Sequence, residues 1–172
     1  MNNKFLVVDA ETDGLYGSVL SIAAAAVSGF RIKDRFYGAV RVEREEIKSE
    51  WVRENVFDHL KNAQTFYDDE ESLLRAFWEF YLRYCDEYAV AADVPYPVEA
   101  GLFMKCTAFD EEGREAHSPF PIYDIESMLA ARGHEKLTDR KKLVDTDIEL
   151  HDAMNDVEIS VRILEGIYNG TI

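Results

Sequence analysis

Two cysteines and four prolines in 172 residues leave no material for a disulfide scaffold or a proline-rich linker. Cys85 and Cys106 form no close-spaced metal pattern, and they read as reduced thiols in or near a core. No apolar run approaches the ~20 residues that a membrane-spanning helix needs, so no membrane partner is expected. The opening Met-Asn-Asn-Lys leads straight into a strand without the apolar stretch and cleavage site of a signal peptide. These absences together predict a soluble, cytoplasmic protein. Cations are scarce as well: 19 Lys and Arg stand against 34 Asp and Glu, for a net charge of −15. Phosphate binding ordinarily draws on a basic surface, so a long polyanion should be repelled. A short strand end held through bound divalent cations escapes that exclusion, because metals change the local sign more than the global one.

Apolar residues are plentiful, at 47% of the chain with 12% aromatic. That composition indicates a folded globular chain, and the length suits one domain spanning residues 1–172 with a substantial core. Phe5 to Asp9 is an apolar run bounded by the turn Gly14–Ser18, which predicts a buried strand. Val19–Val27 reads as a second strand, although its alanines would suit a helix equally. Alternation from Gly29 to Val42 predicts a third strand after a turn near Ser28-Gly29. Glu45–Leu60 carries apolar residues at helical offsets and predicts one or two short helices. Acids at Asp68–Glu71 announce a firm helix, with Leu73, Leu74, Phe77, Phe80, Tyr81 and Tyr84 as its buried stripe. Tyr88–Ala92 predicts a short strand ending in Asp93, followed by a helix from Val98 to about Lys105 that Pro97 opens. Ile122-Tyr123 predicts a small strand entering a helix from Asp124 to Ala131, closed by Gly133. Residues 137–147 are polar and irregular. A last helix runs from about Asp152 to Tyr168, buried through Ala153, Val157, Val161, Leu164 and Tyr168. Strands first, then strands alternating with helices, predict an α/β protein with one mixed five-stranded sheet flanked by helices.

The first strand carries the chemistry. Side chains alternate along a strand, so Asp9 and Glu11 share a face roughly 7 Å apart. Two carboxylates there repel each other and resist desolvation, and a divalent cation between them would account for both. The last helix offers His151-Asp-Ala-Met-Asn-Asp156. At about 100° per residue, positions five apart fall about 140° apart on the wheel, so the two cannot ligate from one helical face. If both serve one site, His151 belongs in the turn before the helix and Asp156 one turn inside it.

With these residues in view, Asp9-Ala-Glu11-Thr12-Asp13-Gly14-Leu15 resembles the first motif of the DEDDh 3′–5′ exonucleases. His151-x4-Asp156 is similar to that family's third motif, and Pro121-Ile-Tyr-Asp124 resembles a family strand entering a helix. The resemblance spans the chain with its motifs in order, and implies a ribonuclease H-like fold. The second motif departs from the pattern. Asp93 stands at the strand end, where a ligand emerges beside Asp9. Glu99 has Leu102 and Phe103 at the offsets that follow the family's aspartate. Asp93 is the preferred fourth carboxylate, with Glu99 as its alternative or companion.

The resemblance implies four acids holding two Mg²⁺ or Mn²⁺ ions and His151 as general base, with nucleoside 5′-monophosphates released from single-stranded DNA or RNA 3′ ends. It also implies that Thr12 and Leu15 meet the terminal nucleotide, where Leu15 and Tyr16 are candidates to wedge or stack against its base; the alternative for Tyr16 is a turn residue packing on the sheet. Arg140, with Lys141 and Lys142, is a candidate for backbone phosphates. His59, His117 and His134 fall in no motif and read as surface or loop residues. A homodimer or a larger repair or RNA-processing complex is a possible setting. The altered second motif and the net charge keep an alternative open: a degenerate module of the same fold that binds a nucleic-acid end or a protein without cutting.

Overall fold

A computed structural model describes residues 3–172; the expectation attached to Met1 and Asn2 lies outside the described residues. The strand β1 (Lys4–Thr12) lies at the centre of a sheet with β2 (Val19–Ser28) and β3 (Arg31–Val40) as an antiparallel series on one side. Helices α1 (Glu50–Asn55) and α2 (Phe57–Leu60) follow. A three-residue strand β4 (Thr65–Tyr67) then pairs parallel to β3 at the sheet edge. This strand makes the sheet six-stranded where five were expected. Three residues at an edge, mostly exposed, carry too little alternation to be read as a strand.

Helix α3 (Glu70–Leu82), capped by Asp69, leads to β5 (Ala89–Ala92), and α4 (Val98–Ala108) and α5 (Glu111–Arg114) follow. The chain returns through β6 (Ile122–Asp124), α6 (Ile125–Ala131), α7 (Arg140–Leu143) and α8 (Ala153–Asn169). The sheet order is β4-β3-β2-β1-β5-β6, with β5 parallel to both β1 and β6. The short helix α7 lies inside the stretch expected to be irregular.

Alternation along β1 and β2 divides the core in two. Phe5, Val7, Ala23 and Ala25 pack with Val157, Val161 and Leu164 of α8 on one face. Leu6, Val8, Ala24 and Ala26 meet Phe77 of α3 and Leu102 and Phe103 of α4 on the other. With helices on both faces, β2 is buried along nearly its whole length, and a run of alanines satisfies that as a strand. Tyr168 departs from the expected stripe: it is 39% exposed and packs edgewise on Phe5 and at a tilt on Phe30 at the rim. Among the described residues no helix is long and apolar enough to cross a membrane.

β1 pairs with β5 only as far as Val7↔Ala91, yet continues along β2 to Thr12. Its last four residues, 9–12, therefore project past the carboxyl end of β5. That step opens a crevice at the ends of parallel strands, where α/β sheets commonly place ligands.

Candidate active site

Asp9 and Glu11 emerge from the projecting end of β1 on the α8 face, as alternation predicts. Asp156 enters from the first turn of α8. Oxygens of Glu11 and Asp156 and a ring nitrogen of His151 all lie within 4.8 Å of one another. The expected placement of the two residues of the last motif is present. Asp152 caps α8, so His151 falls one residue outside the helix and Asp156 inside it. His151 adopts φ 67°, a left-handed conformation in which histidine is enriched over most residues, and its amide donates to Asp156 Oδ2 at 2.8 Å. The turn thus aims imidazole and carboxylate at the same volume. The ring of Trp51 stands edge-on to His151, centroids 4.9 Å apart.

Glu99 arrives from the first turn of α4 and is 4% exposed. Its Oε1 accepts the amide of Ala10 at 3.1 Å, on the stretch of β1 that β5 leaves unpaired. Burying a carboxylate without a cation is costly, and among the described residues no Lys or Arg pairs with Asp9, Glu11, Glu99 or Asp156. Their proton affinities record this. Desolvation first, then the charges of Asp156, Glu11, Glu99 and Asp93, push Asp9 well above the usual carboxylate range. Desolvation and Asp156 lift Glu11 to about 8. Desolvation outweighs two backbone hydrogen bonds to lift Glu99 to about 8. Asp156 rises to about 7 for the same reason, against the His151 amide. Burial and the nearby His59 lower His151 below its ordinary 6.5, so the imidazole is neutral at pH 7. His59, read from sequence as peripheral, is thus a neighbour of this centre.

Asp93 is differently placed. Arg140 grips it with both prongs, Nε to Oδ2 at 2.7 Å and Nη2 to Oδ1 at 2.9 Å. Arg140 also bonds Glu126 and is only 12% exposed. Asp93, the preferred fourth carboxylate, thus has both oxygens engaged by a cation, whereas Glu99, its alternative or companion, accepts only a backbone amide. The same contacts place Arg140, the candidate for backbone phosphates, between two carboxylates. The next residue after Asp93, Val94, sits at φ 53°, an outlier for a β-branched side chain in the loop that the ion pair holds.

Thr12 and Leu15 line a cavity of about 470 Å³ beside Glu11, together with Gly14, Trp51, Val52 and Val98. Tyr16 is 79% exposed, and the neighbouring Tyr96 raises the pKa of its hydroxyl. Asp13 does not face the acids. Its carboxylate accepts the amides of Lys48 and Ser49 at 2.9 and 2.8 Å, which fixes the start of α1 and so the position of Trp51. Asp152, also unassigned from sequence, is 3% exposed and takes the Asn62 amide at 2.7 Å as well as two α8 amides.

The four raised carboxyls carry a pH prediction for the metal-free protein. Each binds its proton more tightly in the folded chain than in the unfolded one. Between about pH 4 and 8 the native state therefore holds more protons, and stability falls as pH rises, on the order of 1.4 kcal/mol per pH unit for each titrating group. A divalent cation should reverse the trend. Thermal melts at pH 5 to 8 with EDTA and with Mn²⁺ measure this; an Mn²⁺ stabilisation that does not grow with pH contradicts it.

No family model matches the chain, and no curated protein sequence matches it. Solved structures do. The zinc-ion-bound form of the E. coli ExoI–ssDNA complex superposes with a TM-score of 0.74 at 13% identity, covering 99% of this chain and 41% of that one. The chain thus spans about two-fifths of that protein's length. Exonuclease X in complex with 5′-overhanging duplex DNA superposes with a TM-score of 0.56 at 17% identity, covering 97% and 92%. The likeness establishes the fold.

Proposed function

We propose that this chain, which has the ribonuclease H-like fold seen in those exonucleases, is a divalent-metal-dependent 3′–5′ exonuclease. Its substrate is a single-stranded DNA or RNA end, and its product a nucleoside 5′-monophosphate. One observation carries the reading: one buried and three partly buried carboxyls converge without a cation, next to a neutral histidine within 4.8 Å of two of them. An all-oxygen donor set favours hard cations such as Mg²⁺ or Mn²⁺, so the residues fit the group. Asp9, Glu11, Glu99 and Asp156 would hold the ions, with Asp93 serving instead to anchor Arg140. When bound, such ions supply Lewis acidity at a phosphodiester and lower the pKa of a coordinated water.

The chain's own residues do the rest. His151 takes the proton of the attacking water, as a neutral imidazole at pH 7 can. Trp51 shields His151 from bulk solvent and offers a face to the terminal base in the adjoining cavity, with Thr12 and Leu15. Tyr16 extends that contact at the rim. The scarcity of cations on the surface suits a short end over a long duplex, because the bound metals carry the positive charge.

Metal-stripped protein incubated with matched 5′-labelled single-stranded DNA and RNA tests the proposal. Addition of Mg²⁺ or Mn²⁺ should produce stepwise shortening from the 3′ end; retention without shortening favours a degenerate binding module. Two variants refine it. Trp51→Ala should weaken substrate binding by about 1–3 kcal/mol, about 5- to 150-fold in KM, with a smaller effect on kcat. Glu99→Gln should weaken Mn²⁺ binding and shortening together. Asp93→Asn should instead cost about 1.5–3 kcal/mol of stability through the released Arg140. Calorimetric titration and denaturant melts of both variants separate the two roles.

A further inference from the structure

A second set of convergent donors lies at the opposite end of β5. Cys85 and Asp86 follow the carboxyl end of α3, and His117 ends a 3₁₀ turn spanning Glu115–His117. The Cys85 sulfur, an Asp86 oxygen and a His117 ring nitrogen lie within 4.8 Å of one another. All three residues face one cavity of about 250 Å³, shared with Tyr81, Tyr88 and Phe120. That cavity reaches Ala89 at the start of β5, whereas the carboxylates lie past its end at Ala92. The two sites are separate.

We propose that Cys85, Asp86 and His117 form a site for a borderline-soft divalent cation of the zinc class, with its fourth position open to water or an added ligand. Bond lengths of about 2.3 Å to sulfur and 2.1 Å to oxygen at a tetrahedral angle require a sulfur–oxygen edge of about 3.6 Å. The Cys85 Sγ–Asp86 Oδ1 separation is 3.7 Å. His117 is exposed and needs only a shift on the order of 1 Å to complete the edge set. Its turn is already held against α3, because the Tyr81 hydroxyl donates to the His117 carbonyl.

On metal binding the Cys85 thiol releases its proton to solvent, and one thiolate and one carboxylate balance the two charges of the cation. The donor set, sulfur and imidazole with a single carboxylate, favours zinc or cobalt over magnesium. The four acids at the other end of the sheet favour the reverse. Occupancy would tie the excursion between α4 and β6, where Phe120 is 98% exposed, to the end of α3.

Cobalt(II) is the probe. The metal-stripped full chain is titrated with Co²⁺ in excess Mg²⁺, which occupies the carboxylate centre. The expected result is one thiolate-to-cobalt charge-transfer band per chain, displaced by Zn²⁺. Cys85→Ser should abolish the band, while Cys106→Ser and Asp9→Asn keep it. Loss of supporting groups around a metal site weakens binding about 10- to 100-fold, so loss of a direct ligand in His117→Ala should exceed about 100-fold. His117 is exposed, and its variant decides the matter if Cys85→Ser fails to fold. No band, a band that survives Cys85→Ser, or unchanged affinity in His117→Ala overturns the site.

Discussion

Asp9→Asn should abolish metal-dependent shortening while raising the stability of the metal-free protein above pH 8. The two effects share one cause. Asp9 feels every other acid of the cluster, with Asp156, Glu11, Glu99 and Asp93 all raising its proton affinity after desolvation. In the metal-free protein at high pH these groups ionise against one another, and one fewer negative charge relieves the cluster. With metal present the same charge is what binds. Asparagine keeps the shape of the side chain, so packing against α8 is unchanged. A residue whose role was only structural would lose stability along with activity. Paired melts at pH 9 with EDTA and gel assays of oligonucleotide shortening with Mn²⁺ read both effects, and a destabilised, inactive variant contradicts the assignment.

His151→Ala should lower kcat by about 10²–10⁴, about 3–5 kcal/mol of transition-state stabilisation, with the fold intact. The backbone supplies the control. At φ 67°, alanine carries strain of its own, whereas asparagine tolerates the left-handed region. His151→Asn should therefore match the alanine variant in rate and exceed it in stability. Burial and His59 hold the His151 pKa below 6.5, so the acidic limb of the wild-type kcat profile should have its midpoint below that value. The limb should vanish in His151→Asn. Rates within about threefold of wild type would remove His151 from the chemistry.

The readable parts of this site were those set by local periodicity. Alternation in β1 puts Asp9 and Glu11 on one face, and helical geometry separates His151 from Asp156. The choice between Asp93 and Glu99 was not local. It turns on Arg140, 47 residues away, reaching Asp93, and on β5 ending early enough to leave the Ala10 amide to Glu99. Neither event leaves a periodic trace. Trp51 lies within Glu45–Leu60, whose helical offsets are legible, but its place beside His151 depends on Asp13 anchoring Lys48 and Ser49, a side-chain contact without a pattern. The strand β4 was missed because it is three residues long and largely exposed. Tyr168 was misassigned because helical spacing gives a face but not how far the sheet extends beneath it.

Calorimetric titration with Mn²⁺ at pH 7.5 tests most directly whether the carboxyls at the end of β1 form a cation site. Manganese is a hard cation and discriminates against the thiolate-bearing cluster. The wild-type chain should bind Mn²⁺ with proton release, since Glu11 and Glu99 start with pKa values of about 8, and Asp9→Asn should lose that binding. Mn²⁺ uptake that is absent in the wild type, or identical in Asp9→Asn, would contradict the account.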